Sequence, residues 1–90
     1  MLFVWDPKQA AANARKHGVK FEDAVTVFAD PLALIIDDPD HPERARIIGQ
    51  AADQRTLLVV FVEIDEDCTR LISARRATTP ERKRYEEESL

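Results

Sequence analysis

The spacing of apolar and polar positions changes twice along this chain. After a short apolar run, helical periods come first, strand-like runs fill the middle, and a strongly polar helix closes the chain. Leu2 to Trp5 is a short apolar run and predicts a strand. Asp6-Pro7 then supplies a capping side chain and a proline at the first helical position, so a helix is expected from Pro7 to about His17, closed by Gly18. Within it Ala10, Ala14 and His17 recur at helical spacing, and Asn13 and His17 lie four apart on one face with Lys16 beside them. Phe21, Ala24, Val25 and Phe28 mark a second helix, with Glu22 and Asp23 in the first turn where acids suit the dipole. Lys20 gives that helix no side-chain cap, and Asp30-Pro31 ends it.

From Leu32 to Asp37 the pattern becomes a strand rich in leucine and isoleucine, and DDPDHPE reads as a turn-forming loop. A second strand is expected from Arg44 to about Ala52, with Arg44, Arg46 and Ile48 on one face. TLLVVFVEI is almost continuously apolar, as a central strand covered on both sides would be. The acidic turn DED leads into TRLISARR, so the last three strands are expected to form an antiparallel meander. Thr79 as N-cap and Pro80 as first helical residue open a terminal helix. The fold class is therefore α+β, in one domain over residues 1–90.

Composition narrows the function classes. No segment approaches the roughly 18 apolar residues that cross a membrane, and MLFVWDPK lacks the basic flank of a signal peptide, so a cytoplasmic location is expected. Cys68 is the single cysteine, which leaves no disulfide framework and no cysteine-based zinc site. Asp37, Asp38, Asp40 and His41 read as an exposed loop rather than a metal site, and no cofactor is expected. A net charge of −4 argues against coating long nucleic acids by bulk attraction, but it leaves room for a local basic site.

That local site is in LISARRATTPERKRYEEE. From Arg70 to Arg84 six basic residues, Arg70, Arg75, Arg76, Arg82, Lys83 and Arg84, face one acid, Glu81. Strand alternation puts Ser73 and Arg75 on one face and Ile72, Ala74 and Arg76 on the other, so without a bulge the two arginines point apart. In the terminal helix the cations lie toward the N-terminal end and Glu86, Glu87 and Glu88 toward the other, the reverse of what the dipole favours. With Tyr85 its only large apolar anchor before Leu90, this helix is expected to be loosely held.

Several ordered blocks give the chain a family resemblance. They are Trp5-Asp6, Asn13, the KHG of Lys16 to Gly18, F-E-x-A at Phe21 to Ala24, E-R-x-x-x-I-G at Glu43 to Gly49, S-A-R at Ser73 to Arg75, and E-R-x-x-Y at Glu81 to Tyr85. In that order and over nearly the whole length they resemble the BrnT family of bacterial type II toxins. The resemblance implies a RelE-like fold, with helices on one side of a curved antiparallel sheet, and metal-independent RNA cleavage that halts translation. It also implies a BrnA-like ribbon-helix-helix antitoxin in a hetero-oligomer, with DNA bound only through that complex.

Metal-free RNA cleavage needs a base for the 2′-hydroxyl, cations for the scissile phosphate and a donor for the departing 5′-oxygen. Arg44 and Arg75, both at expected strand positions, are the candidate phosphate clamps because guanidinium offers a planar fork of donors. Lys16 is a candidate for phosphate contact or proton transfer, and Glu43 or His17 for the base. Arg46, Arg76, Arg82 and Tyr85 are candidates for substrate binding. The competing structural roles are helix capping for Lys16 and His17, a loop ion pair for Glu43-Arg44, a surface salt bridge for Arg75 and a solvated helix face for Arg82. The competing functions are a non-catalytic nucleic-acid-binding module and a protein-interaction domain.

Overall fold

A computed structural model describes residues 1–88, so Leu90 lies outside the described residues. The chain runs β1 (Leu2–Val4), α1 (Pro7–His17), α2 (Phe21–Ala24), a 3-10 helix (Val25–Ala29), β2 (Leu34–Asp37), β3 (Ala45–Gln50), β4 (Thr56–Asp65), β5 (Cys68–Arg76) and α3 (Thr79–Glu88). The strands form one sheet in the order β1-β5-β4-β3-β2. Strands β2 to β5 pair antiparallel, but β1 pairs parallel to β5, with Leu2 opposite Cys68 and Val4 opposite Arg70. The sheet is thus mixed rather than antiparallel throughout.

Helix α1 follows its local signals. The Asp6 carboxylate accepts from the Lys8 N–H at 2.9 Å, and Gly18 takes the left-handed conformation (φ 70°) with its N–H bonded to the Ala14 carbonyl. The second helical segment does not hold one geometry. After Phe21–Ala24 it tightens into the 3-10 helix, where the β-branched run Val25-Thr26-Val27 disfavours a regular α-turn. The Thr26 hydroxyl donates to the Asp23 carbonyl and accepts from the Ala52 N–H, which ties the segment to the β3–β4 turn.

Strand ends are shorter than the apolar runs. Trp5 lies outside β1 and packs edge-on against Phe21. Pro31 to Ala33 is a turn held by the Leu32 N–H on the Asp30 carboxylate, so β2 begins at Leu34. Arg44 is likewise a turn residue, its N–H bonded to the His41 carbonyl, and β3 begins after it. At the far end β3 stops at Gln50, where the Ala51–Arg55 turn forms.

Alternation assigns the two sheet faces. Ile47, Leu57, Val59, Phe61, Leu71 and Ala74 turn toward α1, α2 and the 3-10 helix and join Val19, Phe21, Ala24 and Val27 in the core. Fully burying Phe21 or Leu57, both 0% exposed, contributes about 1.5–3 kcal/mol each. Gly49 lies on this face because a Cβ there would sit 3.0 Å from Val27 Cγ1 and 3.1 Å from both Ala33 Cβ and Asp30 Oδ2. On the second face Ile48 and Leu58 are also buried, and α3 crosses there in contact with β3.

Asn13 fastens α1 to the sheet. Because β1 is short, β5 has no strand neighbour beside Ala74 on the edge away from β4. The Asn13 carboxamide takes that place: its Nδ2 donates to the Ala74 carbonyl at 2.8 Å and its Oδ1 accepts from the Ala74 N–H at 3.0 Å. The second amide hydrogen reaches the Val19 carbonyl at 3.0 Å. Arg55 secures the other end of this layer, with bonds to the Gly18 carbonyl, Asp23 and Asp53.

Candidate functional site

The second face of the sheet is where the arginines gather. One row across the strands reads Ile36–Arg46–Val60–Ser73, and the next reads Leu34–Ile48–Leu58–Arg75. Arg70 lies opposite Val62, one row further on the same face. Ser73 and Arg75 share this face and Arg76 takes the other. The extra residue at Ile72 shifts the register before that pair and leaves their alternation intact. Arg46 and Ser73 are two strand spacings apart, roughly 10 Å. The surface between is apolar and half-open, with arginines around it.

Arg75 is tightly paired in this structure. Its Nη1 and Nη2 donate to the two carboxylate oxygens of Glu81 at 2.8 and 3.0 Å, and Nη1 also donates to the Arg76 carbonyl at 3.2 Å. Glu81 stands at the start of α3 through a reciprocal cap with Thr78: the Thr78 N–H donates to Glu81 Oε1 at 2.8 Å, and the Glu81 N–H reaches the Thr78 hydroxyl at 3.4 Å. Thr78 therefore caps α3 in place of Thr79, and the Arg82 N–H bonded to the Thr78 carbonyl closes the first turn. Further along α3 the Tyr85 hydroxyl reaches Asp30 Oδ2 at 2.6 Å. None of the described residues of α3 is buried, so these polar tethers do much of the holding.

The tethers carry opposite pH dependences. The Arg75 guanidinium holds the Glu81 carboxyl at about 2, against an ordinary 4.5, and the Thr78 N–H assists. Burial, then the Asp30 hydrogen bond, push the Tyr85 hydroxyl up to about 12 from 10.0. Burial raises Asp30, but bonds from the Gln50 N–H, the Tyr85 hydroxyl and the Leu32 N–H outweigh it and hold the carboxyl below its ordinary range. A depressed carboxyl stabilises the folded form above its unfolded value and loses that contribution as pH falls through the folded one. A raised tyrosine does so below its unfolded value and loses it as pH rises. Docking of α3 is therefore expected to be full between about pH 4.5 and 10 and to weaken toward pH 2 and pH 12. The ring signals of Tyr85, the single tyrosine, followed by NMR through a pH titration, check this.

Lys16 and His17 lie around the edge of β5. Both are exposed at the end of α1, and with Gln9, Ala12, Asn13, Ile72 and Ser73 they line a hollow of about 200 Å³. The residues on which Asn13 docks α1 thus also bring Lys16 and His17 beside Ser73, two positions from Arg75 on the same strand. The structure thus groups Lys16, His17 and Ser73 around one hollow.

The other candidates are placed elsewhere. Glu43 and Arg44 are in the β2–β3 loop rather than a strand, Glu43 lying 3.6 Å from His41 and 3.8 Å from Arg44. This loop leads into β3, two strands across the sheet from β5, and Glu43 does not line the hollow that Lys16 and His17 share, so it is not grouped with them. Arg46 is 3.6 Å from Asp38, and its Nε is buried with no hydrogen-bond partner among the described residues. Arg76 and Arg82 instead line a second hollow of about 280 Å³ with Asp53, Gln54, Arg55, Thr56 and Ala77. The acidic loop makes no metal cluster: among the described residues no three His, Cys, Asp or Glu side chains are placed to hold an ion. Two members of the arginine face, Arg70 and Ser73, stand outside the candidate set of sequence reasoning. Alternation from Arg75 reaches Ser73 but would put Arg70 on the opposite face, and only the extra residue at Ile72, which the pattern does not show, brings Arg70 onto this one.

This architecture is a known one. Residues 5–81 match the family described as the ribonuclease toxin, BrnT, of type II toxin-antitoxin systems. The chain belongs to the BrnT family. The crystal structure of the Brucella abortus ribonuclease toxin BrnT superposes with a TM-score of 0.71 at 22% sequence identity, covering 88% of this chain and 100% of that one. At that identity the likeness shows a shared fold, the α+β arrangement of helices on a mixed sheet. No curated protein matches the chain. Among the described residues no helix is long and apolar enough to cross a membrane. Within the matched residues, Asn13, Ser73 to Arg75 and Glu81 are thus a hydrogen-bonded dock, a strand segment and the carboxylate that ties the start of α3 to that strand.

Proposed function

We propose that this BrnT-family chain is a metal-independent endoribonuclease that cleaves RNA and so arrests translation and growth. The observation that carries the proposal is the half-open sheet face bearing Arg46, Arg70, Ser73 and Arg75, with Lys16 and His17 around the edge of β5. Phosphate contacts from arginine forks and an apolar floor suit a single-stranded RNA substrate. In the reaction a base takes the 2′-hydroxyl proton, the 2′-oxygen attacks phosphorus, the bond to the 5′-oxygen breaks, and that oxygen takes a proton from an acid. The products are a 2′,3′-cyclic phosphate and a 5′-hydroxyl. His17 is the better candidate base because it shares a hollow with Ser73, two positions from Arg75 on β5, whereas Glu43 is engaged in its loop. Lys16 and Arg75 stabilise the charge on the phosphate, while Arg44, Arg46, Arg76, Arg82 and Tyr85 supply outlying contacts.

The account extends to a RelE-like fold acting as one domain over residues 1–90, and to a cytoplasmic protein neutralised by a BrnA-like ribbon-helix-helix antitoxin in a hetero-oligomer. DNA is then bound only through that complex. Purified protein freed of its antitoxin is expected to cleave single-stranded RNA undiminished in excess EDTA. Cleavage abolished by EDTA and restored by a divalent cation would contradict the metal-independent chemistry. The neutralisation of Arg75 by Glu81 favours a second reading, a non-catalytic interaction module. That reading predicts salt-sensitive binding without cleavage in the same assay.

A further inference from the structure

The guanidinium fork of Arg75 is the best-formed anion-binding group on the open sheet face, and it is already filled. Both Glu81 oxygens sit on it at 2.8 and 3.0 Å, and the Thr78 N–H adds a third donor at 2.8 Å to the same carboxylate. A carboxylate and a phosphate present similar paired oxygens to such a fork, so the two compete for the same donors. On the reading of Arg75 as a phosphate contact, we propose that Glu81 is an internal anion occupying the Arg75 site in the free protein. The first turn of α3 is then a latch that the RNA backbone displaces when it binds.

The construction of α3 suits that role. Among its described residues none is buried, so releasing the first turn opens no core. Its charges oppose its dipole, with Arg82, Lys83 and Arg84 near the start and Glu86, Glu87 and Glu88 at the end, which weakens the helix as a free-standing element. The i,i+4 pairs Arg82–Glu86 and Arg84–Glu88 lie at 3.8 and 3.3 Å between exposed side chains and restore little. When Glu81 leaves, the Arg76 carbonyl still accepts from Arg75 Nη1, so the guanidinium keeps a partner from its own strand and stays on the sheet face.

A carboxylate beside an arginine can instead position it for catalysis, and the two roles predict opposite signs. A latch makes removal of the Glu81 charge tighten RNA binding, whereas a positioning partner makes it weaken binding. The test is binding of a fluorescent single-stranded RNA in which every 2′-hydroxyl is methylated, so that no cleavage intervenes. Anisotropy titrations compare the unmodified protein with Glu81→Gln, Arg75→Ala and the double variant. Glu81→Gln is expected to bind about tenfold tighter, and the gain is expected to vanish in the double variant because it passes through Arg75. Glu81→Asp, which keeps the charge but shortens its reach, gives the same direction at smaller size and serves if Glu81→Gln fails to fold. Unchanged or weaker binding by Glu81→Gln, or by Glu81→Asp where it serves instead, overturns the latch, as does a gain that persists without Arg75. The ribonuclease reading is judged separately, by cleavage of unmodified RNA: cleavage that depends on Arg75 without tighter Glu81→Gln binding rejects the latch alone.

Discussion

Asn13→Ala is expected to lower folding stability by about 3–5 kcal/mol, a large share of the roughly 5–15 kcal/mol typical of a small domain. The substitution removes three hydrogen bonds at a position only 7% exposed and leaves the Ala74 N–H, the Ala74 carbonyl and the Val19 carbonyl without this partner. No neighbouring strand can take over, because β1 ends before this part of β5. Asn13→Asp is expected to be at least as damaging at neutral pH. Its carboxylate still accepts from the Ala74 N–H but faces two carbonyl oxygens with no hydrogen to donate. Urea denaturation of the two variants checks both. A loss under 1 kcal/mol for Asn13→Ala would show that the carboxamide is not what holds α1 on the edge of β5. Because the same contact sets Lys16 and His17 beside Ser73, activity is expected to fall with the fold.

Arg75→Ala is expected to separate activity from stability. The side chain is 35% exposed on the open face, and its ion pair with Glu81 is of a kind worth about 1 kcal/mol or less. The fold should therefore survive with α3 loosened. Cleavage of RNA is expected to drop about 10²–10³-fold, the size of effect seen when a group that stabilises developing charge is removed. Arg75→Lys keeps a charge but not the planar fork, so an intermediate loss is expected. Initial rates on a labelled RNA, paired with thermal denaturation, measure both quantities. Wild-type cleavage by folded Arg75→Ala would remove this residue from the site.

What could be read from the sequence divides along the range of the interactions. The ends of α1 were legible because Asp6, Pro7 and Gly18 act within a turn of themselves. The central place of β4 was legible because TLLVVFVEI is apolar on both faces, and both faces are in fact covered along Leu57 to Val59. The parallel pairing of β1 was not, since it depends on a register between Leu2 and Cys68 at opposite ends of the chain. Arg44 looked like a strand residue because its parity matches Arg46, and the turn bond to His41 that excludes it is invisible in the pattern.

The candidate site shows the same limit. Alternation along β5 sufficed to send Arg75 and Arg76 to different faces. The sequence block containing Asn13 drew attention to that residue but not to its use as a substitute strand, although a short amide among the alanines at the centre of α1 is a usable signal. Glu81 read as the odd acid in a basic run. Its spacing from Thr78 already spelled a capping box, but its pairing with Arg75 follows from how α3 folds back over the sheet. The grouping of Glu43 with Lys16 and His17 came from family blocks rather than geometry, and the sheet sets β3, which the Glu43 loop enters, two strands away from β5.

The most direct measurement of the central claim is induction of this chain alone in bacteria, beside an equally expressed Arg75→Ala variant, with growth and RNA integrity followed in parallel. The account predicts arrest with RNA fragmentation for the unmodified chain, and neither for the variant. Unimpaired growth with intact RNA at confirmed expression of the unmodified chain would contradict it.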